Sequence, residues 1–194
     1  PPIDLRSHMI SFEELDDAIT DLTLAIYHPT SHLRRDLPDS IRATYQDEKM
    51  NGFTQEGRER ILISMMKVNF LKRLESSIDS FRLTLQRTIE KIDHLEEKFD
   101  QFEAHQEANP EIDYNELDLT EEDDEELTQA DFLVGGKKKF HLGHIDISKW
   151  RNAVKKDRAQ LEFLLDRAKA TKPQFDGKLA RLREEIFAKL NNPT

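Results

Sequence analysis

Along the middle of this chain an apolar residue returns at alternating steps of three and four. The series is Ile61, Met65 and Val68, then Leu74, Ile78, Phe81, Leu85, Ile89, Ile92, Leu95, Phe99 and Phe102. A repeat near 3.5 residues puts these side chains on one stripe of a helix that lies along a partner helix. No proline interrupts the stretch from Thr54 to Gln106, and its one glycine, Gly57, falls in the first turn. With Thr54 as its cap, the spacing predicts one helix of about 50 residues, roughly 75 Å long at 1.5 Å per residue. An ordinary globular core does not bury such a helix, so it needs a partner.

A second stripe supplies that partner: Ile147, Trp150, Val154, Leu161, Leu164, Leu165 and Ala168. The chain has to return, so Leu74–Phe102 is expected to pair antiparallel with Ile147–Ala168. Asp157 or Arg158 falls where this stripe should be apolar, which predicts an imperfect seam there. The fold class that follows is all-α: a long antiparallel helical hairpin, coiled-coil-like, with a small helical base and an acidic tip. Composition agrees. Of 194 residues 37% are hydrophobic and 35% charged, a balance that suits amphipathic helices better than a thick core.

The flanking segments complete the expected layout. Residues 1–9, ending in Ser7-His8-Met9, resemble a cloning scar or linker. The helix-like pattern runs to Leu190 before Asn191-Asn192-Pro193-Thr194, and both ends suggest a piece of a larger protein. Residues 10–60 read as an N-terminal helical base. Ser11 and Glu14 form a capping box for a first helix carrying Leu15, Ile19, Leu22 and Ile26. That helix is expected to stop near Tyr27-His28-Pro29, because the residue before proline avoids the helical region. A short second helix is expected from about Pro38 to Lys49, ended by Asn51-Gly52. Residues 61–106 are the long arm, 107–145 the acidic tip and loop, and 146–194 the returning helix and a last base helix from about Asp176. The tip holds the run Glu121-Glu122-Asp123-Asp124-Glu125-Glu126, which repels itself and is solvated. Phe140, Leu142 and Ile145 alternate with polar residues and permit a short extended stretch.

Several kinds of chemistry find no support. There is no glycine-rich phosphate loop, and Gly135-Gly136-Lys137 lacks the remaining glycine and the Ser/Thr that would hold magnesium. His28/His32 and His141/His144 have helical metal spacing, but Pro29 and Gly143 argue against helix at both, and no third ligand is nominated. Ser76-Ser77 lacks a nucleophile elbow, and no carboxylate sits in an evident apolar pocket. The chain is therefore expected to be no enzyme by itself and to hold no catalytic, cofactor or metal residue. With no cysteine, disulfides and thiolate metal sites are ruled out. No apolar run approaches the roughly 20 residues needed to span a bilayer; a cytoplasmic protein with no membrane partner is expected. Net charge is -10, so wrapping nucleic acid by bulk charge is not expected. Local basic groups remain: Lys67, Lys72 and Arg73 on the long helix, and the cluster Lys137, Lys138 and Lys139. They are the candidate contacts to DNA or to a neighbouring domain, set against pairing with nearby carboxylates on a solvated face.

One block is not selected by periodicity. Met66-Lys67-Val68-Asn69-Phe70-Leu71-Lys72-Arg73-Leu74-Glu75-Ser76-Ser77, continuing through Ser80-Phe81 and Thr84-Leu85, resembles bacterial helicases of the SWI/SNF type, in superfamily two. In them a leucine-rich basic block follows the first motor lobe. Asp176-Gly177-Lys178-Leu179-Ala180-Arg181-Leu182 is similar to the helix that precedes the second lobe. The resemblance implies a helical region between two ATPase lobes, acting as a structural arm or as a contact to DNA or to a partner. It implies ATP and magnesium in the parent protein, bound outside this chain, whose sequence carries none of the family's ATPase motifs. Expected partners are the motor lobes of the same polypeptide, DNA, and a basic protein surface facing the acidic tip. The alternative is a freestanding coiled-coil interaction module.

Overall fold

The computed structural model describes residues 12–46, 54–113, 133–135 and 139–170. They are mostly helical: α1 (Phe12–Thr20), α2 (Asp39–Gln46), α3 (Gln55–Ser76), α4 (Ile78–Ala108) and α5 (Ile147–Ala170). Two residues each form β1 (Leu133–Val134) and β2 (Phe140–His141), paired antiparallel with Leu133 opposite His141 and Val134 opposite Phe140. The all-α class holds. The capping Ser11, the Asn51-Gly52 break, the acidic run and the last base helix lie outside the described residues.

The described residues form two compact units. The first comprises 12–22, 66–89 and 158–170; the second comprises 23–46, 54–65, 90–113, 133–135 and 139–157.

In the first unit Phe70 and Phe81 meet edge to face, with ring centroids 6.5 Å apart. Both are fully buried, as is Leu85, and Leu15, Ile19, Leu74, Ile78, Leu161 and Leu164 are buried too. Arg82 links α4 to α5: its Nε donates to the Ala168 carbonyl at 2.9 Å, near the end of α5 where carbonyls lack intrahelical partners.

Ser77 interrupts the single long helix that the spacing predicted. Its N–H donates to Arg73 O and closes α3, and its carbonyl accepts from Phe81 N–H and opens α4. Its Oγ accepts from Ser80 N–H at 3.1 Å, the bond of a helix cap. The apolar seam shifts at the same place. After the break it keeps strict three-four spacing through Ile78, Phe81, Leu85, Thr88, Ile92, Leu95, Phe99 and Phe102, all buried. Before it the seam runs through Phe70 and Leu74, four apart. Ile61, Met65 and Val68 therefore do not belong to it and are 45%, 64% and 49% exposed. Thr88 takes the position expected for Ile89, and its hydroxyl is satisfied by Thr84 O at 2.9 Å on the same helix.

The second unit is organised around Trp150. Its indole N–H donates to Ala25 O at 2.8 Å, one face stacks on His32 at 5.8 Å, and Phe99 tilts against it at 5.3 Å. Arg151 binds Asp100 and Glu103 of α4, each at 2.8 Å. Tyr45 stacks on Phe140 at 4.9 Å. The extended stretch expected around Phe140 to Ile145 is present in part. Phe140–His141 is strand, Leu142–His144 is a 3-10 turn, and Ile145 bridges to Leu33.

Helix α1 ends at Thr20, earlier than the proline predicts. The reason lies in the chain that follows. Leu24 is left-handed, with φ 49° and ψ 46°, a conformation that costs an L-residue about 1 kcal/mol or more. The turn brings the N–H groups of Thr23 and Ala25 onto one carboxylate, Asp157, at 2.7 and 2.6 Å. The Thr23 hydroxyl adds contacts at 3.0 and 2.9 Å. Amides on either side of a left-handed residue that converge on one anion form a backbone nest.

Candidate functional site

The basic residues singled out by the sequence come to different ends. Lys67 is half-buried, and its Nζ donates to the Thr20 carbonyl. A lysine there satisfies an orphan carbonyl at the end of α1 and complements the helix dipole. Lys72 and Arg73 sit in the last turns of α3 and are exposed. Among the described residues neither has a carboxylate within ion-pair distance. The block thus splits by face: Phe70 and Leu74 go to the core while Lys72 and Arg73 point outward. Lys139 belongs to the second unit, where its Nζ donates to Gly135 O at 3.2 Å. Lys137 and Lys138 lie outside the described residues. Among the described candidates, Lys67, Lys72 and Arg73 share the first unit and Lys139 lies in the second.

The histidine pairs are used in packing. Tyr45 Oη and His144 Nδ1 are 2.6 Å apart, and His141 N–H donates to the same tyrosine oxygen at 3.3 Å. Burial pushes the Tyr45 hydroxyl up to about 12, so it keeps its proton. His141 Nδ1 accepts from Gly143 N–H at 3.0 Å. Burial, helped by His144 and His105, pushes the His141 imidazole down to about 4. His32 is also held down to about 4, by burial first and by Lys149 next. Among the described residues no three His, Asp or Glu side chains are grouped to hold a metal ion.

The second unit also contains a cavity of about 590 Å³ that sequence reasoning missed. Its walls come from the loop after α1, the first turns of α3, the middle of α4, the two short strands and Trp150. No local motif announces a site assembled from segments this far apart in sequence. Glu59 gave no signal either: it stands in the polar run 54–60, yet it is buried in the lining. Its Oε2 accepts from Thr30 N–H at 3.2 Å and from the Thr30 hydroxyl, and its Oε1 accepts from Gln55 Nε2 at 2.8 Å. Burial holds its carboxyl above the ordinary carboxylate range, against the pull of these bonds.

No protein-family model, curated protein or solved structure matches this chain. Among the described residues no helix is long and apolar enough to cross a membrane.

Proposed function

We propose that this chain is the helical region between the two motor lobes of an ATP-dependent, SWI/SNF-type helicase or translocase, and that it works by contact and not by catalysis. The observation that carries this reading is the division of the basic block. Its apolar members are spent on the core of the first unit, which leaves Lys72 and Arg73 exposed and without an ion-pair partner among the described residues. A pair of cations held on a rigid helix is suited to a phosphate backbone or to an acidic face of a motor lobe. Lengthwise pairing of α4 and α5 as a hairpin belongs to the same reading. The acidic run 121–126 would meet a basic protein surface, on grounds of charge alone. ATP and magnesium do not fit residues of this chain, whose sequence has no phosphate loop; the flanking lobes would hold them.

The test uses the intact ATPase with Lys72→Glu and Arg73→Glu. DNA-stimulated ATP turnover is expected to fall about tenfold, the effect of two reversed contacts worth roughly 1.4 kcal/mol together, with basal turnover kept. Coding sequence on either side that lacks motor motifs would overturn the reading. It would favour a freestanding helical interaction module, which the strict seam from Ile78 to Phe102 also supports.

A further inference from the structure

The cavity of the second unit is apolar inside and cationic at its edge. Ile26, Leu62, Leu95, Val134, Phe140 and Trp150 contribute its apolar surface. About 590 Å³ lies within the range of roughly 300–1,000 Å³ typical of small-molecule sites. Among the described residues that line it, Arg58, Lys91, Lys98 and Lys139 are cationic and Glu59 is the carboxylate. That carboxylate is already bonded to Thr30 and Gln55. Lys98 donates to the Leu133 carbonyl at 3.0 Å, and Lys139 to the Gly135 carbonyl at 3.2 Å, a bond that orients the Lys139 ammonium without neutralising it. Lys91 stands 5.8 Å from the centre of the Tyr27 ring. Among the described residues neither Lys91 nor Lys139 has a carboxylate within ion-pair distance. The Tyr27 hydroxyl, also in the lining, is buried with no hydrogen-bond partner there. Such a hydroxyl is costly to leave unpaired.

We propose that this cavity binds a small organic anion: a flat apolar body seated against Trp150, Phe140 and Leu95, with one acidic group held by Lys91 and Lys139. The apolar walls reward burial of the body, and the lysines at the edge select charge. This assignment is independent of the helicase reading.

Trp150 is the only tryptophan of the chain and forms part of the cavity wall, so its fluorescence reports occupancy directly. The probe is 8-anilinonaphthalene-1-sulfonate, titrated into the full chain. Saturable one-to-one quenching of Trp150 is expected, with energy transfer to the probe. Lys91→Glu with Lys139→Glu should weaken binding at least tenfold. Both side chains are exposed, so the helical dichroism should be kept. Met65→Ser removes an exposed apolar side chain outside the lining and should leave binding unchanged. The uncharged analogue N-phenyl-1-naphthylamine should bind the unaltered chain at least tenfold more weakly than the sulfonate, a comparison that decides the matter even if the charge-reversed variant misfolds. Absence of saturable quenching, equal affinity for the two probes, or quenching lost with Met65→Ser would overturn the proposal.

Discussion

Asp157 stands at a seam position where three-four spacing asks for an apolar side chain, midway between Val154 and Leu161. It is fully buried, and its carboxylate collects the amides on both sides of left-handed Leu24 together with the Thr23 hydroxyl. A polar residue in a helix seam looks like a flaw only until the chain that covers it is known. The amides need an acceptor because an unsatisfied buried donor costs about 1–3 kcal/mol. Asp157→Ala orphans two of them and is expected to destabilise the chain by about 3–5 kcal/mol, read as a fall in the urea midpoint. Asp157→Asn, which keeps one acceptor oxygen, should lose less. The buried histidines set a pH dependence. His32 and His141 have native values near 4, below the ordinary 6.5, so the unfolded chain binds more protons between these limits. Stability should therefore be full above about pH 6.5 and fall as pH drops toward 4. The contribution of each histidine is at most on the order of 3 kcal/mol. Glu59, raised by burial, acts in the opposite sense. Urea midpoints taken from pH 7 to 5 should decline, and the double variant His32→Gln, His141→Gln should flatten the profile.

For the helices, periodicity revealed existence and type but not phase. From Ile78 onward the stripe was legible except at Thr88, because the spacing there is strict and each position is buried. Upstream the same spacing misled. Ile61, Met65 and Val68 satisfy a three-four rule yet lie exposed, while Phe70, two residues past Val68, is fully buried. The phase changes at Ser77, a cap whose role depends on backbone geometry that a list of apolar residues does not encode. The end of α1 was illegible for a related reason: it is set by Asp157, more than 130 residues away, and not by the nearby proline. The cavity was hidden too, since its lining is assembled by tertiary folding. The phase shift is testable. Phe70→Ala should cost about 3–5 kcal/mol, as large-to-small changes in a core do. Met65→Lys, on the same helix, should stay within about 0.5 kcal/mol. Equal effects of the two substitutions on the urea midpoint would contradict the seam described here.

Neither unit is a continuous stretch of chain. α3, α4 and α5 each supply residues to both, α3 on either side of Met65, α4 on either side of Ile89 and α5 on either side of Asp157. Helix formation carries a costly nucleus and a favourable propagation, so a helix tends to form or melt as a whole. Separate melting of the units would require three helices to fray at their middles together. We therefore expect one cooperative transition. Trp150 offers a clean check because it lies in the second unit, while far-ultraviolet circular dichroism reads helix throughout. The two probes should give superimposable urea curves. Phe81→Ala, a core change confined to the first unit, should lower the Trp150 midpoint by the same amount as the dichroism midpoint, the shift corresponding to about 3–5 kcal/mol. A Trp150 curve that stays in place while the dichroism curve moves would mean that the units unfold independently. That result would also remove the physical basis for passing a contact at Lys72 and Arg73 along the helices, since coupling between sites needs an element whose two ends respond together.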